Sequence, residues 1–295
     1  VIICGAVYNN NWRAFMIENE MENLPEVSVI CIAYNQEKVI SRCLDGFVNQ
    51  KTDFKYEVIV HDDCSTDGTL DVILSYEKKY PDLFVVITEE ENQFLKAANF
   101  DDIIMPYVRG RYIAVCEGDD YWCNQMKLQK QYDFMGVHPE CSLVCHNTII
   151  NDLGSNGPLQ MFNDWKDIHC LTEEEVFLDW KVHTSSYFFR KECYRVRDEY
   201  SYWCRFFSDY IRLCNAKDLG EVYCLPELMS VYDFNNPEGV TNVYNKDFKK
   251  KLNQLEGRIT FLKEFDEFTD HRHSEVILKR LNYQIEEMNK IMKKM

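Results

Sequence analysis

Three short polar clusters in this 295-residue sequence each follow directly on an apolar run of strand length. The most charged is Glu117-Gly118-Asp119-Asp120-Tyr121-Trp122, after Tyr112–Cys116. Three carboxylates within four residues concentrate negative charge that a divalent cation neutralises. Oxygen-only ligands suit Mg²⁺ or Mn²⁺, which complete their shells with substrate phosphates. A metal held there stabilises the charge on a departing diphosphate. The competing explanation is an acidic surface turn, where most Glu/Asp-rich loops belong.

The other two clusters carry groups that suit a nucleoside. Tyr34-Asn35-Gln36-Glu37 follows Val27–Ala33 and offers an aromatic ring for stacking, or simply a helix cap at Asn35. Asp62-Asp63-Cys64-Ser65-Thr66-Asp67-Gly68-Thr69 follows Tyr56–Val60. Ser65 to Asp67 suit a helix N-cap, but capping leaves Asp62 and Asp63 unexplained. Carboxylates there accept hydrogen bonds from a base N–H or ribose hydroxyls, and without a partner they are costly at the end of an apolar strand.

The elements that position these clusters alternate between strand and helix. Val27–Ala33 and Tyr56–Val60 read as buried strands, with strands at Leu83–Thr88 and Tyr112–Cys116 after them. Val39, Ile40, Cys43, Leu44 and Phe47 mark one face of a helix over 37–50, and a second helix is predicted over 68–79. The alternation implies an α/β fold with a mainly parallel sheet covered on both faces. Ligands in such sheets bind beyond the carboxyl ends of the strands, where the three clusters fall. Further on, 151–170 reads as an excursion, 183–190 as a strand, 172–179 and 204–216 as helices, and 221–232 as short strands. Residues from Asn245 onward read as amphipathic helix.

Composition narrows the function classes. A net charge of −16 with no basic stripe outside the C-terminal helices argues against nucleic acid as a partner. The thirteen cysteines form no Cys-x-x-Cys pair, and several sit inside apolar runs, as buried thiols in a reducing cytoplasm do. No apolar run reaches the roughly 18 residues of a membrane span.

Together the motifs VSVICIAYNQE (27–37), VIVHDDCSTDGT (58–69), GRYIAVCEGDDYW (110–122) and KLQKQ (127–131) resemble family 2 of the inverting glycosyltransferases, with the GT-A fold. The resemblance divides the chain into an N-terminal extension (1–25), a GT-A domain (26–240) and a C-terminal helical extension (241–295). It implies a nucleotide-sugar donor, of UDP type, a divalent cation, and transfer to a glycan or lipid-linked acceptor in cell-envelope or capsular polysaccharide synthesis. By position, Ala33, Tyr34 and Glu37 surround the base. Asp62 reads the uracil with Asp63 beside it, Asp119 contacts ribose, and Asp120 with Glu117 holds the metal. Ser208-Asp209-Tyr210 matches the segment that supplies the general base, as Asp209, with a helix N-cap as the competing explanation. The segment His183–Ser186 is similar to one that lines the acceptor pocket, with His183 itself structural.

One departure stands out. After Ser230-Val231-Tyr232 the family continues with Arg and a metal-binding His, whereas this chain reads Asp233-Phe234-Asn235-Asn236. Asn235 or a water is then the third ligand, or there is none, and the diphosphate charge falls to Lys96, Arg109 or Arg111. The rival this favours is a non-catalytic nucleotide-sugar-binding or scaffold protein on the same fold. A sugar nucleotidyltransferase needs a Gly-rich loop with Arg and Lys after the first strand, where this chain has AYNQE. The expected location is the cytoplasm, with Lys290, Lys293 and Lys294 leaving peripheral contact with the inner face of the membrane open.

Overall fold

The computed structural model describes residues 24–96, 98–154, 157–179, 181–194, 207–234 and 248–293. Four strands form the parallel half of a central sheet: β1 (Val27–Ala33), β2 (Tyr56–Asp62), β3 (Phe84–Thr88) and β4 (Tyr112–Val115), in the order β3-β2-β1-β4. Between them run α1 (Ile40–Val48), α2 (Thr69–Lys79) and α3 (Phe100–Ile104). The face of α1 turned to the sheet carries Ile40, Cys43, Leu44 and Phe47, all fully buried at helical spacing. Register sets the working edge. Ala33 pairs with Asp62, and Gly118 N donates to Ile32 O, so all three polar clusters leave the sheet at one level.

The second half is mixed rather than parallel. It contains β5 (Tyr121–Trp122), α4 (Lys127–Val137), β6 (Cys141–Asp152), β7 (Gln160–Met161), β8 (His169–Cys170), β9 (Phe188–Arg190), α5 (Lys191–Tyr194), α6 (Ser208–Leu219) and β10 (Glu221–Phe234). Strand β9 runs antiparallel to both β4 and β6, β10 runs parallel to β6, and β5 closes the edge antiparallel to β10. The stretch 183–190, predicted as one strand, is instead a 3₁₀ turn at Thr184–Ser186 followed by the three-residue β9. His183 caps that turn through its side chain, which pulls the backbone away from strand pairing. The short strands expected over 221–232 are one strand, shifted in register between Leu225 and Leu228. Pro226 lies within that shift and lacks the N–H a ladder needs. The helix predicted over 172–179 is a π-helical turn at Glu175–Asp179, and the one over 204–216 is α6, beginning at Ser208.

Hydrophobic layers cover both faces. Val29, Cys31, Val58 and Val60 pack with α1 and α4, while Ile30, Ile59, Ile113 and Leu143 pack with α6. This second layer extends to α7 (Phe248–Phe268) and α8 (Ser274–Met292) through Phe261, Leu262, Phe265, Val276 and Ile277. The described cysteines are free thiols, and eight of them (31, 43, 116, 141, 145, 193, 214 and 224) are buried. Among the described residues no helix is long and apolar enough to cross a membrane.

Phe261 is fully buried against Phe207, Tyr210 and Phe265. Phe261→Ala is expected to cost about 3–5 kcal/mol of stability. Urea unfolding checks this, and a loss below 1 kcal/mol would show that the helix pair is loosely docked.

Candidate active site

The first two loops lock together before any ligand is considered. Asn35 adopts the left-handed region at φ 52°, and its side chain accepts from Thr66 N at 2.8 Å while its own N–H donates to Ser65 Oγ at 3.0 Å. Gln36 N donates to Thr69 Oγ1 at 2.6 Å, and Glu37 N to Asp67 Oδ2 at 3.2 Å. Glu37 returns the contact by accepting from Gly68 N at 3.2 Å. At this loop edge Ala33 is buried and Tyr34 is exposed, its ring open for stacking.

The two adjacent aspartates have different partners. Asp62 is buried; its Oδ2 accepts from Ser65 N at 3.0 Å, and its Oδ1 has no hydrogen-bond partner among the described residues. An unpartnered buried carboxylate oxygen is costly, so a ligand donor there would be strongly held. Asp63 accepts from Gln93 N at 2.6 Å and Phe94 N at 3.1 Å, which fastens the loop after β3. Lys96, in that loop, pairs with Glu91 at 2.5 Å. Arg109 and Arg111 stand elsewhere. Arg109 pairs with buried Glu57 at 2.6 Å and Arg111 with Glu26 at 3.4 Å, both at the amino ends of the strands and away from the acidic loop. Arg109 answers the buried Glu57 charge, which the spacing of the sequence did not reveal.

The third loop brings ligand oxygens of Glu117, Asp119 and Asp120 within 4.8 Å of one another. It fits because of Gly118, where a Cβ would stand 2.3 Å from Gln36 Oε1 and 2.6 Å from the Ile40 side chain. Asp120 is buried, and its Oδ1 accepts from Asp233 N at 3.2 Å. Burial and the neighbouring charges of Asp119 and Glu117 push its carboxyl well up from the usual range. Crowding by protein atoms, then Asp119 and Asp209, lifts Glu117 to about 8, although its surface remains open to solvent. Charge this concentrated, on hard oxygen donors, fits a divalent cation. Asn235 lies outside the described residues.

Asp209, in the first turn of α6, faces the same cluster. Its Oδ2 lies 3.5 Å from Thr184 Oγ1, and its Oδ1 accepts from Tyr210 N at 2.7 Å. Beside Thr184, His183 Nδ1 stands 3.7 Å from Asp120 Oδ2, so the 183–186 turn spans from Asp209 to the acidic loop. Burial lowers His183 to about 3 and keeps it neutral, stacked on Tyr232 at 4.1 Å. Burial raises Asp209, opposed by the Tyr210 N–H and by the charges of Arg258 and Arg212.

Several supporting residues were not visible as site residues in the sequence. Arg42 bonds to Asp233, stacks over Tyr121 at 4.2 Å, and so braces the far side of Asp120. Lys127 is fully buried beneath the Trp122 ring at 4.0 Å, and burial lowers it to about 7. Trp122 Nε1 donates to Ser185 O at 2.9 Å, fixing the acidic loop to the 183–186 turn.

Comparison with known proteins agrees with this geometry. The family profile described as glycosyl transferase family 2 matches residues 28–197, more than half of the chain. An uncharacterised protein of Mycobacterium tuberculosis is 35% identical over 208 residues, 70% of this chain and 58% of the relative's own length. The chain thus spans less than two thirds of that relative. The putative teichuronic acid biosynthesis glycosyltransferase TuaG of Bacillus subtilis is 38% identical over 111 residues, 38% of this chain and 42% of TuaG. In fold, the chain is similar to S. aureus TarS in complex with UDP, with a TM-score of 0.61 at 18% identity, covering 87% of this chain and 71% of that one. It is also similar to the Pyrobaculum calidifontis mannosyltransferase PcManGT in complex with GDP-Man and Mn²⁺, with a TM-score of 0.55 at 15% identity, covering 98% and 82%. The GT-A fold and the extent of the profile match together establish that the chain belongs to glycosyl transferase family 2.

Proposed function

We propose that the chain transfers a sugar from a nucleoside diphosphate donor, of UDP type, to an acceptor hydroxyl with inversion at the anomeric carbon. The observation that carries the proposal is the meeting of two unlike carboxylate sites on one sheet edge. One is a triplet suited to a cation, the other a single carboxylate, Asp209, joined to it through the 183–186 turn.

Each group has a role that follows from its surroundings. Tyr34 stacks on the base, and the unpartnered Oδ1 of Asp62 accepts from its N–H. Asp119 receives the ribose. Asp120 and Glu117 would hold Mg²⁺ or Mn²⁺, which when bound neutralises charge on the leaving diphosphate. Asp209 accepts the proton of the acceptor hydroxyl as that oxygen attacks the anomeric carbon, and the bond to the diphosphate breaks on the opposite side. Burial raises the basicity of Asp209, and a carboxylate raised from its ordinary range is a better proton acceptor at neutral pH. Relatives named for teichuronic acid synthesis and for poly(ribitol-phosphate) glucosylation support an envelope polymer as the acceptor class.

Asp209→Asn is expected to lower transfer about 10²–10⁴-fold while leaving UDP binding unchanged. Turnover measured as UDP release checks this, and retained turnover removes Asp209 as the base. Asp120→Ala is expected to abolish the gain in UDP affinity that Mn²⁺ gives the wild type, read by calorimetric titration with and without the ion. Asp62→Ala is expected to weaken UDP binding by about 1–3 kcal/mol in either condition. A wild-type protein that binds UDP with Mn²⁺ yet releases none from any UDP-sugar is a binding protein, not a transferase.

A further inference from the structure

The turn at Thr184–Ser186 joins the two carboxylate sites, since Thr184 reaches Asp209 and His183 stands beside Asp120. Its place is fixed from outside its own segment. Two consecutive carbonyls of the turn accept from side chains that follow the acidic loop. Ser185 O accepts from Trp122 Nε1 at 2.9 Å, and Ser186 O accepts from Gln131 Nε2 at 2.8 Å. Trp122 is itself wedged in place. Its ring meets Phe47 edge-on at 4.8 Å between centroids, and a Cβ on Gly46 would stand 2.9 Å from Trp122 O.

Gln131, on α4, uses both ends of its amide. Nε2 donates also to Val144 O of β6 at 2.8 Å, while Oε1 accepts from Lys127 Nζ at 2.8 Å. Lys127, one turn earlier, is fully buried, with its ammonium 4.0 Å from the centre of the Trp122 ring. A glutamine amide has one accepting end and one donating end. A donor at Oε1 therefore directs the NH₂ group to the two carbonyls, where a flipped amide would set oxygen against oxygen. Lys127 thus touches both side chains that hold the turn, one by its ring and one by its amide. A lysine buried this fully is costly, and an apolar side chain of like size is often the more stable choice.

We propose that Lys127 is a positioning residue. With Gln131 and Trp122 it holds the 183–186 turn, and through Thr184 the Asp209 carboxylate, at a set distance from the acidic triplet. The proposal rests on the transferase reading, in which both carboxylate sites act on one donor. Displacing reacting groups by about 1 Å is enough to cost about a hundredfold in rate.

Lys127→Met keeps a stem under the Trp122 ring and removes the donor, and Gln131→Met removes the amide. Trp122→Phe keeps a ring on Phe47, removes the N–H, and so assigns the Trp122 indole signal in nitrogen–proton NMR spectra. Both Met variants are expected to bind UDP with Mn²⁺ as the wild type does. Their kcat, measured as UDP release well below the melting point, falls about ten- to a hundredfold at unchanged KM for the UDP-sugar. In both, the Trp122 indole N–H exchanges with water about tenfold faster than in the wild type. A role confined to stability would lower the melting point without this split between kcat and binding. Either wild-type kcat or wild-type indole exchange in Lys127→Met overturns the proposal. Should that variant not fold, Trp122→Phe leaves the lysine in place and cuts the same tie, and wild-type kcat there overturns it instead. If the wild type releases no UDP, the transferase reading fails by itself, and the exchange rate still decides whether Lys127 holds the turn.

Discussion

Like charges held close together are what this structure must accommodate. Three carboxylates have ligand oxygens within 4.8 Å at the end of one buried strand, with a fourth, Asp209, facing them from α6. Burial, with the neighbouring negative charges adding to it, raises the carboxyls of Glu117 and Asp120 far above the ordinary carboxylate range. The surroundings are built to withstand it. Asp120 accepts a backbone N–H, Arg42 and Asp233 brace it from behind, and a glycine lets the loop lie flat on Gln36 and Ile40.

Much of this was readable before any coordinates. Buried parallel strands are continuous apolar runs, and β1, β2, β3 and β4 fall within one or two residues of their predicted bounds. The acids that follow them stood out because apolar strands rarely end in unpaired charge. Where the chain stops alternating strand with helix, local pattern lost its force. The antiparallel insertion of β9, the joining of the strands over 221–234 and the turn at 184–186 are tertiary outcomes, set by pairing partners far away in sequence.

Side-chain assignments fared unevenly for the same reason. The Asp62-Asp63 pair is one motif on paper, but strand alternation points the two residues in different directions. Among the described residues one oxygen of Asp62 has no partner, while Asp63 is consumed by the N–H groups of Gln93 and Phe94. Arg109 and Arg111 were candidates for balancing the diphosphate charge. Yet residues that enter a strand lie at its amino end, and β4 carries them away from the loop that follows it. The packing of α7 on Tyr210 comes from about fifty residues beyond Asp209, a distance no local motif reaches.

The latch between the loop after β1 and the loop after β2 has a consequence of its own. Asn35 and Cys64 both adopt left-handed backbone, and the hydrogen bonds between the loops set their spacing. A cradle already set when the guest arrives loses little chain entropy on capture. On the proposed reading, discrimination among bases rests on shape and on a fixed pattern of acceptors, much as a mould selects its cast.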